Sequence, residues 1–258
     1  MGFLKIMTLN VRLDVDKGAN DFALRKHRIV ELIKSEEPDI VGFQEATDRI
    51  KTELSDMLDG YCILGCGRKK TYDGESASVA YRKDKFELLA LDNFWLSATP
   101  CVAGSRYGVD QSSCPRVTTA LLLTQKGMAR PFWFINTHLD HVGSVARLLS
   151  SSQLMRYIGE RSEPCVLTGD FNAEPSAKEI RILLENEQIG FTDCTSLIDG
   201  TFHNFGAMMD NMAKIDYIFT NLPCDPQKTY TCADEAPNGT YYSDHLAVCA
   251  YIDVTLMI

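Results

Sequence analysis

Apolar positions along the chain fall into short runs, divided by stretches with helical spacing. Leu4, Ile6, Met7 and Leu9 outline a strand at the start. Phe22, Ile29, Val30 and Ile33 share one side of a 3.6-residue period, which predicts a helix over 21–36 that Pro38 stops. Asp39-Ile40-Val41-Gly42-Phe43 reads as a short buried strand, and a second helix follows over 47–58. From Tyr61 to Leu123 the runs shorten, as in a β-rich half: Tyr61–Leu64, Ser78–Tyr81, Phe86–Leu91 and Val117–Leu123. An irregular stretch from Ser97 to Pro115 interrupts them; its length exceeds ordinary loops, so it is functional or mobile. Phe132–Thr137 and Cys165–Thr168 read as strands, Val142–Glu160 and 176–186 as helices, and Ile215–Thr220 and His245–Val254 as closing strands. With no repeat, low-complexity tract or linker, residues 1–258 read as one domain.

Composition narrows the class. A content of 45% hydrophobic and 24% charged residues is that of a globular protein. No apolar run approaches ~18 residues, so no membrane span is expected. The segment Met1–Asn10 lacks the charged and apolar regions of a signal peptide, and a cytoplasmic location is the expectation. Nine scattered cysteines without a Cys-x-x-Cys pair predict free thiols rather than a zinc cluster or disulfide framework. The net charge of −9 argues against tracking a long duplex, because affinity for nucleic acid grows with neutralised phosphates. Two basic clusters stand out, Arg68-Lys69-Lys70 and Arg25-Lys26-His27-Arg28. The second reads as a solvated helix face, and neither is expected near the strand ends discussed next.

Those strand ends carry the candidate chemistry. Asn10 follows Leu4–Leu9, Glu45 follows Asp39–Phe43, and His138 follows Phe132–Thr137, while Asp170 and Asn172 follow Cys165–Gly169. A buried carboxylate is costly without a positive partner. Strand ends converge on one rim of a sheet, where a shared divalent cation would offset clustered acids. In Gly169-Asp170-Phe171-Asn172 the glycine is expected to allow a sharp bend, with Asp170 and Asn172 projecting to one side. Ser243-Asp244-His245 sets an acid beside an imidazole, which predicts that Asp244 orients His245. Asp216 opens an apolar run. His138 and His141 have zinc-pair spacing, but no third soft ligand is suitably spaced.

Leu9-Asn10, Phe43-Gln44-Glu45, Asn136-Thr137-His138-Leu139, Gly169-Asp170-Phe171-Asn172, Ile215-Asp216-Tyr217-Ile218-Phe219 and Ser243-Asp244-His245 resemble, in order, the motifs of the endonuclease/exonuclease/phosphatase superfamily. They span residues 4–250. The resemblance implies an α/β (α+β) fold like that of deoxyribonuclease I, a four-layer sandwich of two mixed β-sheets face to face with helices outside. It also implies a site at one end of that sandwich. By the same resemblance Glu45, helped by Asn10, would bind Mg2+, with Mn2+ able to substitute. Asp170 would orient or deprotonate the attacking water, and Asn172 would hold water and phosphate. His245 would contact the phosphate or act as base, Asp216 would support a histidine, and His138 would stabilise transition-state charge. Arg116 is a candidate phosphate clamp or else a surface arginine. Thr201-Phe202-His203 and Cys114-Pro115-Arg116 look like features of small stand-alone bacterial members, and His203 is a further candidate for phosphate binding.

The sequence departs from neighbouring groups. Arg12 stands where apurinic-type endonucleases carry an acid, and the Trp-Cys-Asp-Arg run of inositol-polyphosphate 5-phosphatases is absent. The implied activity is metal-dependent hydrolysis of a phosphate ester, a phosphodiester of a small molecule or short nucleotide first. Alternatives are a nuclease on single-stranded nucleic acid, which exposed aromatics in a basic groove would favour, and a non-catalytic phosphate-binding module.

Overall fold

A computed structural model describes residues 2–257. The chain opens with strand β1 (Phe3–Asn10), helix α1 (Phe22–Glu36), strand β2 (Ile40–Ala46) and helix α2 (Asp48–Met57). Strands β3 (Tyr61–Leu64), β4 (Ser76–Arg82), β5 (Phe86–Trp95), β6 (Val117–Gln125) and β7 (Phe132–His138) follow. Then come α3 (Ser144–Gly159), β8 (Cys165–Asp170), α4 (Lys178–Leu184), β9 (Thr192–Asp193), β10 (Asp216–Thr220), β11 (Tyr230–Thr231) and β12 (Val248–Asp253). They form two six-stranded mixed sheets, ordered β11-β12-β1-β2-β4-β3 and β5-β6-β7-β8-β10-β9.

The strands are apolar on both faces because both faces are covered. Leu4, Ile6, Phe132, Phe134 and Val166 pack between the sheets. Met7, Leu9, Val41 and Phe43 face outward onto Phe22, Ile29 and Ile33 of α1 and Ile50 and Leu54 of α2. Trp133, Ile135 and Leu167 face outward onto Leu154 and Ile158 of α3 and Ile180 and Leu183 of α4. This is the expected four-layer sandwich.

Along each inner face the alternating positions change from apolar to polar in one direction: Leu4, Ile6, Thr8, Asn10; Phe132, Phe134, Asn136, His138; Val166, Thr168, Asp170. β1 and β2 are parallel, as are β7 and β8, so four strands leave at that end. β10 runs antiparallel to β8 and starts there, with Asp216 opposite Asp170. Topology and side-chain parity together bring the motif residues to one end of the sandwich.

Just below that end the sheets are joined by a buried polar network. Asn136 Nδ2 donates to the carbonyls of Phe43 and Ser78 at 2.8 Å each, and its Oδ1 accepts from Gln44 Nε2 at 2.7 Å and Thr168 Oγ1 at 3.1 Å. Gly42 has no side chain because a Cβ there would lie 2.4 Å from Thr168 Oγ1 and 2.7 Å from Asn136 Oδ1. Asn136→Ala strands buried partners on both sheets, and a loss of roughly 3 kcal/mol is expected in urea unfolding. A loss below about 0.5 kcal/mol, the size of an ordinary surface change, would show that the network does not hold the sheets together.

Several boundaries differ from the sequence reading for physical reasons. β5 runs on to Trp95 because a register shift between Leu88 and Ala90 breaks the alternation without ending the pairing with β6. The last strand begins at Val248, not His245, because residues 245 and 246 pair instead with Phe202 and Thr201. The Ser97–Pro115 stretch is irregular but tied down. The carboxylate of Asp110 accepts from the amides of Val145 and Ala146 at 2.9 Å each, capping α3, whose own N-cap residue is Gly143. No helix among the described residues is long and apolar enough to cross a membrane.

Candidate active site

Asn10, the last residue of β1, holds two carboxylates together. Its Nδ2 donates to Glu45 Oε1 at 3.1 Å and to Asp170 Oδ2 at 3.0 Å. Its Oδ1 accepts from the Arg12 amide at 2.9 Å, which fixes the orientation of the side-chain amide. Glu45 sits where β2 carries one extra residue relative to β4, with φ of +59°. This bulge turns the Glu45 carboxylate toward Asn10, and the Leu13 amide donates to its second oxygen at 3.0 Å. The bulge is local and has no glycine to announce it.

The second sheet supplies the other half. Asp170 Oδ1 accepts from the Asn172 amide at 2.9 Å, and Asn172 takes a left-handed φ of +49°. The turn is therefore made at Asn172 and not at Gly169, which is small because a Cβ would lie 2.4 Å from the Thr137 carbonyl. His245 Nδ1 lies 2.8 Å from Asp216 Oδ2, which also accepts from Thr201 Oγ1 at 2.6 Å. The other nitrogen, Nε2, lies 3.8 Å from Asp170 Oδ2. Asp216 therefore orients His245, and the expectation that Asp244 does so is overturned. The backbone bends at Asp244, which turns toward Arg12, 3.7 Å away.

Burial sets the charges. It opposes a proton on His245, yet the carboxylates of Asp216, Asp170 and Asp244 outweigh it and raise the imidazole to about 10. Burial and the neighbouring Asp216 push Asp170 up to about 7. His138 is driven well below the ordinary histidine range by burial and by Arg116 and Arg68. Asn172 Nδ2 reaches both the Leu139 carbonyl and His138 Nε2, each at 3.1 Å. A carbonyl can only accept, so Nδ2 is the donor and a neutral His138 accepts at Nε2. His138 Nε2 also lies 3.5 Å from Asp170 Oδ2, so the ring stands between Asn172 and the acids.

The remaining candidates are placed differently from the sequence reading. Arg116 is buried, not a surface residue: its Nε is 3.6 Å from Asp140 and an Nη is 2.9 Å from His141 Nδ1. His203 is fully buried against Tyr241, with Nδ1 accepting from the Gly206 amide at 3.0 Å, so it lies beneath the rim. Arg25 is fully buried, Arg28 pairs with Asp234, and Lys26 pairs with Glu53, so that cluster is not a solvated face. Nor are the strand ends free of basic residues, since Arg12, Arg68 and Arg116 stand near them. Each faces an acid: Asp16 and Asp244, Glu75, and Asp140 respectively. The cysteines are free thiols, as expected.

The donor set suits a hard divalent cation. Glu45 and Asp170 are drawn to one point by one amide nitrogen, and burial together with the nearby Glu45 raises Asp244. Asp216 Oδ1 is buried with no partner. These are hard oxygen donors of the kind a divalent cation takes. Atoms of Asp170, Asp216 and His245 also lie within 4.8 Å of one another, but Asp216 and His245 Nδ1 are already committed to each other. Asn10 offers its nitrogen to the acids and one lone pair of its oxygen to the Arg12 amide, so it holds the acidic residues in place.

The profile of the Endonuclease/Exonuclease/phosphatase family matches residues 7–245. Among solved structures, an endonuclease/exonuclease/phosphatase from Bacteroides vulgatus is similar at 31% identity, covering 98% of this chain and 100% of that one with a TM-score of 0.88. A mannosyl-6-phosphatase from Bacteroides thetaiotaomicron is 27% identical, with 96% and 98% coverage and a TM-score of 0.81. An uncharacterized protein of Acanthamoeba polyphaga mimivirus is 25% identical over 245 residues, 87% of this chain and 89% of that protein.

Proposed function

The chain belongs to the endonuclease/exonuclease/phosphatase family, and from that premise we propose that it is a Mg2+-dependent hydrolase of a small or short phosphate ester. Family membership supports phosphate-ester hydrolysis. The observation that carries the finer reading is the joining of two half-sites. Asn10 and Glu45 come from one sheet, His138, Asp170 and Asp216 from the other, and His245 closes the gap. Since each sheet supplies half of one site, we read the chain as a single catalytic domain.

In the proposed reaction a water oxygen attacks phosphorus in line with the ester oxygen. The bond from water to phosphorus forms, the bond to the leaving oxygen breaks, the attacking water gives its proton to Asp170, and the leaving oxygen takes one from solvent. Glu45, with Asp244 nearby, would hold a divalent ion, which when bound would supply charge withdrawal from the phosphoryl oxygens. His245, kept protonated by Asp216, donates from Nε2 to a phosphoryl oxygen. Asn172, fixed by His138 and Leu139, holds the water beside Asp170. Arg12 is partly exposed and Arg116 buried, and each shares its charge with an acid, which favours a compact phosphate over a long polyanion. That one relative is named a mannosyl-6-phosphatase supports a small substrate.

The test is a release assay over p-nitrophenyl phosphate, bis-p-nitrophenyl phosphate, sugar phosphates, nucleotides, short single strands and duplex DNA. Turnover of a small ester is expected, abolished by EDTA and restored by Mg2+ or Mn2+. Glu45→Gln should raise the Mg2+ concentration for half-maximal activity by roughly tenfold or more. Turnover that survives EDTA in metal-free buffer would end the metal reading. Preferential hydrolysis of single strands would move the assignment to a nuclease.

A further inference from the structure

Helix α1 places Arg25, a fully buried side chain, against the backbone that leaves β1. A guanidinium has five N–H donors, and here each of the five contacts is a main-chain carbonyl. Nε donates to Asn20 at 2.7 Å, one Nη to Val11 at 2.6 Å and Tyr242 at 3.2 Å, and the other to Arg12 at 3.1 Å and Leu13 at 3.0 Å. No carboxylate among the described residues is within ion-pair distance of it, although a buried charge ordinarily has such a partner.

The opposite side of the same loop explains the arrangement. Arg12 has a left-handed φ of +53°, a conformation a non-glycine residue adopts at a cost of roughly 1–2 kcal/mol. That kink aims the carbonyls of residues 11–13 at Arg25 and the amides of Arg12 and Leu13 the other way. There they donate to Asn10 Oδ1 and Glu45 Oε2. The Tyr242 carbonyl belongs to the segment that continues into Ser243, whose Oγ donates to the Asn10 carbonyl, and then into Asp244 and His245. One side chain thus grips the segment that leaves Asn10 and the segment that leads into Asp244 and His245.

We propose that Arg25 is a positioning residue that pre-orders the 11–13 loop, and through its amides Asn10 and Glu45, for a divalent cation. This rests on the metal reading above. Arg25 touches neither the ligands nor a substrate. Its action runs through the backbone, and its charge lies beneath the acids it organises. Lysine, with three donors, can satisfy at most three of the five carbonyls, so Arg25→Lys loosens the grip while keeping the charge.

The experiment measures Mn2+ binding to the apoprotein by the electron paramagnetic resonance signal of free Mn2+, well below the melting temperature of each variant. Arg25→Lys is expected to weaken Mn2+ binding by roughly tenfold, with KM for the small ester unchanged at saturating Mn2+. Amide hydrogen exchange of the wild-type chain without metal gives a measurement that no folding defect can confuse: the Arg12 and Leu13 amides should already be protected. Wild-type Mn2+ affinity in Arg25→Lys, or rapid exchange at Arg12 and Leu13 in the metal-free wild type, would overturn the assignment to Arg25 alone. Failure of the wild type to bind Mn2+ would overturn the metal reading and this inference with it.

Discussion

Asp170→Asn is expected to lower kcat by roughly 10²–10⁴-fold while leaving the circular dichroism spectrum unchanged. The substitution preserves volume but removes the acceptor for the water's proton. It also leaves no good orientation for the new amide. Asp170 Oδ2 faces the Asn10 side-chain nitrogen at 3.0 Å and Oδ1 faces the Asn172 amide at 2.9 Å, so an NH2 in either place meets a donor. Stability in EDTA should change little. Burial and Asp216 raise Asp170 to about 7, which means that the metal-free fold disfavours its charge. A neutral asparagine relieves that repulsion and the misplaced NH2 offsets the gain, so in EDTA the melting temperature should stay close to that of the wild type. Lost activity without lost stability marks a functional carboxylate. Near-full activity in Asp170→Asn at an intact fold would remove Asp170 from the mechanism.

The site was legible in the sequence as far as it follows strand parity. Asn10, His138 and Asp170 continue the inner faces set by Leu4 and Ile6, by Phe132 and Phe134, and by Val166, so their convergence could be read from apolar runs that end in polar residues. The two-sheet fold was legible only through the resemblance of the ordered motifs to the superfamily, since the apolar runs by themselves give the order of strands and helices and not their layering. What stayed hidden depends on conformations or contacts without a compositional signature. Glu45 and Arg12 take left-handed φ without being glycine, so the bulge and the kink leave no mark in the sequence. Arg25 has two basic neighbours in sequence, which is also how an exposed helix face looks. Only the path of residues 11–13 beneath it distinguishes the two. Its position is nevertheless in phase with Phe22 and Ile29 on the apolar side of α1, three and four residues away, and that periodicity was the available signal.

Charge is a second place where bulk and local readings diverge. A net charge of −9 describes the surface as a whole, yet Arg12, Arg68 and Arg116 gather at the acidic end of the sandwich. Because each faces its own acid, the gathering adds directional donors more than net positive charge. A long polyanion gains little from such an arrangement, whereas one phosphate can use the donors at short range. The bulk reading and the local one therefore favour the same small substrate, for different reasons.

Asp216→Asn and Asp244→Asn should have unlike consequences, although either acid could have been matched to His245 from the sequence. Asp216 accepts from His245 Nδ1 at 2.8 Å and from Thr201 Oγ1 at 2.6 Å on one oxygen, which fixes the ring and aims Nε2 toward Asp170. Neutralising it removes the charge that keeps the imidazole protonated against burial, so a kcat loss of roughly 10²-fold or more is expected, similar to His245→Ala. The double variant should lose less than the product of the single losses, because both groups serve one donor to one transition state. Asp244 does not hold the ring; it stands by Arg12, at the edge of the oxygen cluster around Glu45. Asp244→Asn should accordingly raise the Mg2+ concentration needed for half-maximal activity while leaving kcat at saturating Mg2+ within about threefold of wild type. Steady-state kinetics over a Mg2+ titration separate the two. Near-wild-type kcat in Asp216→Asn, together with a large kcat loss in Asp244→Asn at saturating Mg2+, would return the orienting role to the residue next to His245.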